Sequence, residues 1–80
     1  MGQERAIRLI NETVKRFKQL RLEKGLSHEA LARLTGVTRP AISHIESGKR
    51  NPSLMFTLRL AHALDMELSD ILRSIEQEHA

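Results

Sequence analysis

Residues 36–48 read GVTRPAISHIESG, a segment whose signals for local structure conflict. Its apolar residues recur at the spacing of a helix, yet Pro40 lies near its start and a glycine closes each end. Proline is tolerated in the first turn of a helix, because the N–H that it lacks has no acceptor within the helix there. With Thr38 as the N-cap, the segment therefore predicts a short helix whose first two residues are Arg39 and Pro40 and which Gly48 ends.

The two sides of this short helix differ in character. Ile42 and Ile45 lie three residues apart and are expected to face the core, with Val37 leading into the helix. The positions that then point outward are Arg39, Pro40, Ser43, His44 and Ser47. The helix thus combines a minimal buried side with a polar outer side.

A second short helix is predicted immediately before this segment. Ser27 offers an N-cap hydroxyl, Glu29 places a negative charge in the first turn, and Gly36 ends the helix about two turns later. Leu31 and Leu34 are expected to form its buried face. The connection between the two helices is about three residues long and contains glycine, which is the spacing of a helix-turn-helix.

Longer helices are predicted on both sides of this unit. The first ends near Lys24, with Gly25 as the residue of positive φ after it, and its apolar stripe is Ile7, Ile10, Val14, Phe17 and Leu20. A fourth helix is capped by Ser53, ends at Asp65, and has an inner face of Leu54, Leu58, Ala61 and Leu64. A fifth is capped by Ser69 and carries the apolar strip Leu68, Ile71, Leu72 and Ile75 before a polar tail at 76–80.

The composition limits the class of protein. Eighty residues make one small domain, and its core must be aliphatic because Phe17 and Phe56 are the only aromatic residues. The absence of cysteine excludes disulfides and thiolate metal sites. No run approaches the roughly 20 apolar residues that cross a bilayer, and no export signal is evident. A cytoplasmic protein without membrane contact is therefore expected.

The charge is unevenly distributed along the chain. Residues 1–50 contain 11 Lys and Arg against 5 acidic residues, a balance of +6, whereas residues 51–80 contain 2 against 5, a balance of −3. Such polarity suggests that one face of the domain meets a polyanion such as nucleic acid. A solvated basic face is the alternative that charge alone leaves open.

From Val14 to Leu72 the chain resembles the lambda-repressor-like helix-turn-helix family (Cro/C1, or XRE). The most specific stretches are LRLEKGLSHEALARLTGV, at 20–37, and ISHIESGKRNPSL, at 42–54. The resemblance implies an all-α, five-helix DNA-binding domain that covers 1–80 as a single unit, with residues 1–13 as a helical extension of the first helix and 14–72 as the family core. It also implies a homodimer on near-palindromic double-stranded DNA.

The resemblance further assigns roles to individual residues. The positions that read bases in the major groove, which is about 12 Å wide, correspond to Thr38, Arg39, Pro40, Ser43 and His44. Phosphate contacts fall on His28, Ser47, Lys49 and Arg50, and backbone N–H groups near Ser27 can hold a further phosphate. Arg21 and Glu46 occupy positions that often form a structural pair between the first and third helices.

Two residues depart from the family pattern. His28 stands where glutamine is common, and Pro40 stands where a polar base reader is common, so hydrogen-bond readout is expected from Arg39, Ser43 and His44. Pro40 can still contact a thymine methyl group. The segment GKRNPSL is similar to that of restriction-modification controller proteins, although Ala41 replaces the tyrosine that many of them carry.

Other functional classes find little support. The four histidines, His28, His44, His62 and His79, show no spacing typical of a metal site. No catalytic triad order or glycine-rich phosphate loop is present, so neither an enzyme nor a cofactor nor a small-molecule ligand is expected. The rival hypothesis from a different class is a protein-interaction module, such as an antitoxin or an anti-repressor partner.

Three local questions stay open at the level of sequence. Lys15, Arg16 and Lys18 are either a DNA-facing cluster or, as we favour, a solvated face of the first helix. Met55 and Phe56 are either additional core or part of a dimer contact. The extension at 1–13, with Ile7, Leu9 and Ile10, packs either on a partner subunit or on the C-terminal helix.

Overall fold

The computed structural model describes residues 2–78, and these fold into five α-helices without a strand among them. The helices are α1 (Gly2–Glu23), α2 (His28–Thr35), α3 (Arg39–Glu46), α4 (Leu54–Ala63) and α5 (Leu68–Glu78). The prediction of an all-α, five-helix fold with an extended first helix is confirmed. Within the described residues, none of these helices combines the length and the hydropathy that would let it span a bilayer.

Side-chain caps begin the three central helices where the sequence predicts them. Ser27, Thr38 and Ser53 each accept a hydrogen bond from the backbone N–H three residues later, at 3.0, 3.3 and 3.0 Å respectively. Pro40 lies in the first turn of α3, where its missing N–H leaves no acceptor without a partner. The local signals of residues 27, 38 and 53 were therefore sufficient to place these helix starts.

The core is a single aliphatic cluster to which every helix contributes. Its most deeply buried large side chains belong to α2, α3, α5 and the end of α4: Leu31, Ile42, Leu64, Ile71 and Ile75. Phe17 of α1 and Phe56 of α4 complete it. Phe56 is thus core, whereas its neighbour Met55 is 64% exposed.

The predicted stripe of α1 is wrong at its N-terminal end. Ile7 is 49% exposed and Ile10 is 36% exposed, whereas the fully buried positions of α1 are Thr13, Phe17 and Arg21. The polar Thr13 tolerates burial because its hydroxyl donates a hydrogen bond to the carbonyl of Leu9 at 2.7 Å. The first two turns of α1 extend past the main core, so their apolar residues have less to pack against.

The predicted buried faces of α2 and α4 are also partly wrong. Leu34 is 60% exposed, and the buried partner of Leu31 on α2 is Thr35, one full turn later. On α4, Leu54 and Leu58 are 69% and 38% exposed. The buried side of α4 is instead formed by Phe56, Thr57, Leu60 and Ala61, with Leu64 at its C-cap. Nearly every position of α4 is apolar, so the sequence pattern did not define which side faces inward.

The start of α5 differs from the prediction. The helix begins at Leu68, so Ser69 lies inside its first turn and does not cap it. The carbonyl of Glu67 accepts hydrogen bonds from the N–H groups of Asp70 and Ile71, at 3.0 and 3.2 Å, which sets the earlier start. At the other end the helix continues through residues 76–78, which were predicted to be a polar tail, while 79–80 lie outside the described residues.

The N-terminal extension packs on the C-terminal helix. Arg5 of α1 donates a hydrogen bond to Glu76 at 2.8 Å, and Arg16 donates to Glu78 at 3.1 Å and to the hydroxyl of Ser74 at 3.4 Å. Of the two partners left open for this extension, α5 is the one that the structure shows.

Candidate nucleic-acid interface

The turn between α2 and α3 is held by a buried threonine. The hydroxyl of Thr35 donates a hydrogen bond to the carbonyl of Leu31 at 2.8 Å and accepts one from the N–H of Val37 at 3.2 Å. Gly36 has φ of +73°, a left-handed conformation that costs glycine little. These features reverse the chain over three residues and set the angle at which α3 leaves α2.

α3 presents its outer side to solvent while its inner side is anchored. Ile42 and Ile45 are 1% and 3% exposed, so the helix is fixed to the core. The residues assigned to base reading lie at its start and along its outer side, where Thr38, Arg39, Pro40 and His44 are exposed and Ser43 is half-buried. The Oγ1 of Thr38 already accepts the capping hydrogen bond, so its hydroxyl hydrogen is what remains for a ligand.

The segment after α3 is ordered by its own backbone. The N–H groups of Gly48 and Lys49 donate to the carbonyls of Ile45 and His44, at 3.1 and 2.9 Å, with Gly48 at φ of +81°. The hydroxyl of Ser47 donates to the carbonyl of His44 at 3.1 Å. Lys49 and Arg50 therefore project, exposed, from a well-defined turn.

A buried ion pair joins α1 to the end of α3. The Nε and Nη2 of Arg21 donate to the two carboxylate oxygens of Glu46 at 2.7 and 2.9 Å, and the Nη1 donates to the carbonyl of Leu26 at 2.8 Å. Both side chains are only 9% exposed. The expected pair is present and joins α3 to α1. Because removal of one partner would leave an uncompensated buried charge, at a cost of about 3–5 kcal/mol, the pair favours this relative position of the two helices.

His28, to which a phosphate contact was assigned, has a partner inside the protein as well. Its Nε2 lies 3.0 Å from Oε1 of Glu46, and since an ionised carboxylate can only accept, the ring donates this hydrogen bond. The other ring nitrogen forms no hydrogen bond within residues 2–78 and is not sealed from solvent. His28 therefore connects α2 to the Arg21–Glu46 pair and keeps one nitrogen for a further contact. No sequence signal indicated that His28 contacts Glu46, because the two residues lie 18 positions apart and meet only in the folded domain.

The environment of Glu46 shifts its acidity. Burial by itself raises the pKa of this carboxyl group, but the hydrogen bonds from Arg21 and His28 and the charges behind them lower it by more, so that the pKa of Glu46 lies below its ordinary value. Glu46 is accordingly ionised in the folded protein at neutral pH.

The basic residues divide into two groups. Arg5, Arg16 and Arg21 form ion pairs with acidic residues of the domain. By contrast, Arg39, Lys49 and Arg50 form no ion pair with any residue of the described range 2–78. The positive charge without an internal partner therefore includes the start of α3 and the loop that follows it.

Histidines do not assemble into a metal site in the part of the chain that the structure describes. Over residues 2–78, no group of three or more His, Asp or Glu side chains could hold a metal ion. His79 lies outside the described residues.

Comparison with known proteins places this arrangement in a family. A family profile described as helix-turn-helix matches residues 17–71. The uncharacterized HTH-type transcriptional regulator YgzD of Bacillus subtilis is 38% identical over 56 residues, which cover 70% of this chain and 85% of that protein.

Two solved structures match most of the fold. The restriction-modification controller protein C.AhdI of Aeromonas hydrophila superposes with a TM-score of 0.71 at 42% identity, covering 81% of this chain and 97% of that one. A point mutant of the restriction-modification controller protein C.Esp1396I superposes with a TM-score of 0.77 at 28% identity, covering 88% and 91%. Together with the helix-turn-helix geometry, these matches show that the chain belongs to the Cro/C1-type (XRE) helix-turn-helix family of DNA-binding transcription regulators.

Proposed function

We propose that this protein is a controller-type or repressor-type regulator that acts in the cytoplasm of a bacterium or phage host as a homodimer, on a near-palindromic operator. α3 enters the major groove and the turns beside it contact the sugar-phosphate backbone. The observation that carries the proposal is the outward start of α3, which is anchored by Ile42, Ile45 and the Arg21–Glu46 pair and is flanked by cations without internal partners. The proposed activity is binding of double-stranded DNA.

Base readout is assigned to the outer side of α3. Arg39 reads a guanine, because its planar fork can donate to both acceptors on the guanine edge, a contact worth about 1–3 kcal/mol of discrimination. Ser43 and His44 supply further hydrogen bonds one turn later. Near the start of the helix, Thr38 can donate its hydroxyl hydrogen and Pro40 makes an apolar contact with a thymine methyl group.

Phosphate binding is assigned to the two helix ends beside α3. The N-terminal end of α2 offers backbone N–H groups near Ser27 and, when the imidazole is protonated, the Nδ1–H of His28 as a further donor. The turn after α3 offers Lys49 and Arg50, both exposed, and Ser47, whose hydroxyl has to leave the carbonyl of His44 in order to donate to a phosphate. Such contacts position the domain on the duplex without reading sequence.

A controller role is supported by the solved relatives. Both C.AhdI and C.Esp1396I are restriction-modification controller proteins, and this chain matches most of their length. The segment GKRNPSL, at 48–54, which resembles that of controller proteins, spans the turn between α3 and α4 and the first residue of α4.

Dimerisation is supported by an apolar groove that the folded chain leaves open. Side chains of α1, α4 and α5 line it, among them Ile10, Leu54 and Leu72, and its volume is about 330 Å³. Leu58 lies one turn after Leu54 and is also exposed. We propose that a second copy covers this groove, because its lining is apolar and exposed and it borders Pro52, at the end of the phosphate-binding turn.

Selection of bound duplexes from a random pool tests the proposed function. We expect two half-sites related by a two-fold axis, with a spacing that reports the dimer geometry. Recovery of no sequence that binds more tightly than bulk DNA would refute sequence-specific regulation and would favour the protein-interaction module.

Two variants separate base reading from phosphate binding. Arg39→Ala should relax specificity at one base position of each half-site and weaken operator binding by about 5- to 150-fold, the equivalent of 1–3 kcal/mol. Lys49→Ala should weaken operator and random DNA by the same factor. If Arg39→Ala weakened both kinds of DNA equally, Arg39 would be a backbone contact.

A further inference from the structure

A second cleft lies between α1 and the turn that follows α3. Its floor is apolar, formed by Ile10, Val14 and Ile45, and its volume is about 390 Å³. Its rim combines Asn11 and Lys15 of α1 with Ser47, Arg50 and Asn51 of the turn. Two cations, two amides and a hydroxyl thus surround one opening.

The structure separates the three basic residues of α1 that the sequence left together. Arg16 is engaged by Ser74 and Glu78 of α5, on the far side of the helix from the cleft. Lys15 lies at the rim of the cleft, where its only ion pair in residues 2–78 is a 3.7 Å contact with Glu12 and its side chain is 75% exposed. Lys18 is exposed outside the cleft.

The negative charge of the one acidic residue that lines the cleft is compensated by neighbouring donors, so it does not prevent an anion from binding. Glu46 borders the cleft, but each of its carboxylate oxygens accepts a hydrogen bond from Arg21, and one of them also faces His28. The charges that remain for a ligand are therefore those of Arg50 and of Lys15, the latter in an exposed 3.7 Å contact with Glu12. Amide N–H groups of Asn11 and Asn51 add neutral donors, which suits the several oxygens of a phosphate.

We propose that this cleft binds a backbone phosphate of the duplex through Lys15 and Asn11, so that the first helix takes part in DNA binding. The proposal rests on the proposed function, because Ser47 and Arg50, which we assign to phosphate binding, line the same opening. Because Ser47 and Arg50 lie on one side of the opening and Asn11 and Lys15 on the other, a phosphate bound at this turn would lie close to the side chain of Lys15. The DNA contact surface then extends beyond the helix-turn-helix.

Lys15→Gln tests this assignment against Lys18→Gln. Both variants remove one positive charge from an exposed position of the same helix, so the general electrostatic loss is equal. We expect Lys15→Gln to weaken operator and random duplex alike and to lower the slope of log affinity against log salt by about 0.9. The fall in affinity between 50 and 200 mM salt should then be about 3.5-fold smaller than for the wild type, whereas Lys18→Gln should keep the wild-type slope. Thermal unfolding of both variants checks that the fold is retained.

The outcomes separate this assignment from the proposed function. If the wild type binds an operator with a steep salt dependence but Lys15→Gln and Lys18→Gln behave identically, the cleft takes no phosphate from DNA while the proposed function stands. If the wild type binds no duplex, both proposals fail. A titration of the wild type with inorganic phosphate, followed by NMR, distinguishes the source. Saturable shifts at Asn11 and Asn51 with unchanged DNA binding of Lys15→Gln would assign the cleft to a free anion and overturn the DNA contact.

Discussion

At the scale of single residues, Glu46 does the most to position the proposed DNA-binding surface. It receives hydrogen bonds from Arg21 of α1 and His28 of α2 while it lies at the end of α3 itself, so one carboxylate joins three helices. A buried pair of this kind adds little net stability, because desolvation offsets much of the attraction. The pair instead fixes the orientation of α3 relative to α1 and α2, because any other orientation would leave a buried charge without its partner.

The pKa of Glu46 predicts how stability depends on pH. Because the pKa of this carboxyl group in the folded state lies below its ordinary value of 4.5, the unfolded chain binds the proton first as the pH falls. The contribution of Glu46 to the free energy of unfolding should be complete above about pH 5 and should be lost as the pH falls through the folded-state pKa. Urea denaturation of the wild type and of Glu46→Gln at a series of pH values measures it. The difference in free energy between the two should shrink below the ordinary pKa, and a difference that stayed constant from neutral pH to pH 3 would contradict the shift.

At the scale of elements, the helix-turn-helix is defined by its turn more than by its helices. α2 and α3 are each only eight residues long, too short to be stable in isolation. Their relative orientation depends on the left-handed Gly36 and on the hydroxyl of Thr35, which satisfies the N–H of Val37. The turn at residues 36–38 therefore sets the angle at which α3 leaves α2, in addition to the anchoring of α3 by Ile42, Ile45 and Glu46.

Gly36→Ala measures the contribution of this turn. A Cβ at position 36 meets no atom within 4 Å, so the variant introduces no clash and its cost comes from the left-handed backbone alone. We expect the free energy of unfolding to fall by about 1–2 kcal/mol in urea denaturation. Gly2→Ala is the matched control, because its Cβ also meets nothing and its φ is not positive, and it should change stability by less than about 0.5 kcal/mol. Equal stability of the two variants would show that the turn can adopt another conformation.

At the scale of the whole molecule, ion pairs neutralise one part of the domain. Glu76 and Glu78 of α5 engage Arg5 and Arg16 of α1. Arg39, Lys49 and Arg50 form no ion pair within residues 2–78, so α3 and the following turn keep positive charge without an internal partner, as do Arg8, Lys18, Arg33 and Arg59 on other helices. The open apolar groove of α1, α4 and α5 has the character expected of a contact between copies.

Leu54→Glu tests the groove as the dimer contact. Leu54 is 69% exposed, so the folded protomer should tolerate the change, whereas a covered carboxylate without a partner should weaken the dimer by at least about tenfold. Leu22→Glu is the control, since Leu22 is 58% exposed but lies outside the groove. Sedimentation equilibrium measures both dissociation constants. A dimer that tolerated Leu54→Glu as well as Leu22→Glu would require a different interface.

Much of this fold was predictable because the signals that set it are local. Hydroxyl caps at 27, 38 and 53 and the left-handed glycines at 25 and 36 act within a few residues of backbone, so the sequence placed the starts of α2, α3 and α4 and the turn between α2 and α3. Ile42 and Ile45 were also placed correctly, since α3 has few apolar residues and only one side that can face inward.

The errors on α2 and α4 share one physical cause. Leu34, Leu54 and Leu58 are apolar residues on helices with more than one possible inward side, and the side that is buried depends on which neighbour packs there. Ile7 is exposed because the first turns of α1 extend past the main core, and α5 starts before Ser69 because the carbonyl of Glu67 accepts the first hydrogen bonds of the helix. Periodicity predicts that a helix is amphipathic, but the tertiary contacts decide its rotation.

The amino-acid sequence by itself therefore determined the class of fold, the bounds of the helix-turn-helix and the residues on the outer side of its third helix, because caps, glycines and spacing act locally. Only the tertiary structure decided that His28 joins Glu46, that Arg16 pairs with α5 while Lys15 borders a cleft, and that an apolar groove stays open. Those facts depend on side chains that are distant along the chain and meet only when the helices pack, and local propensities carry no information about such meetings.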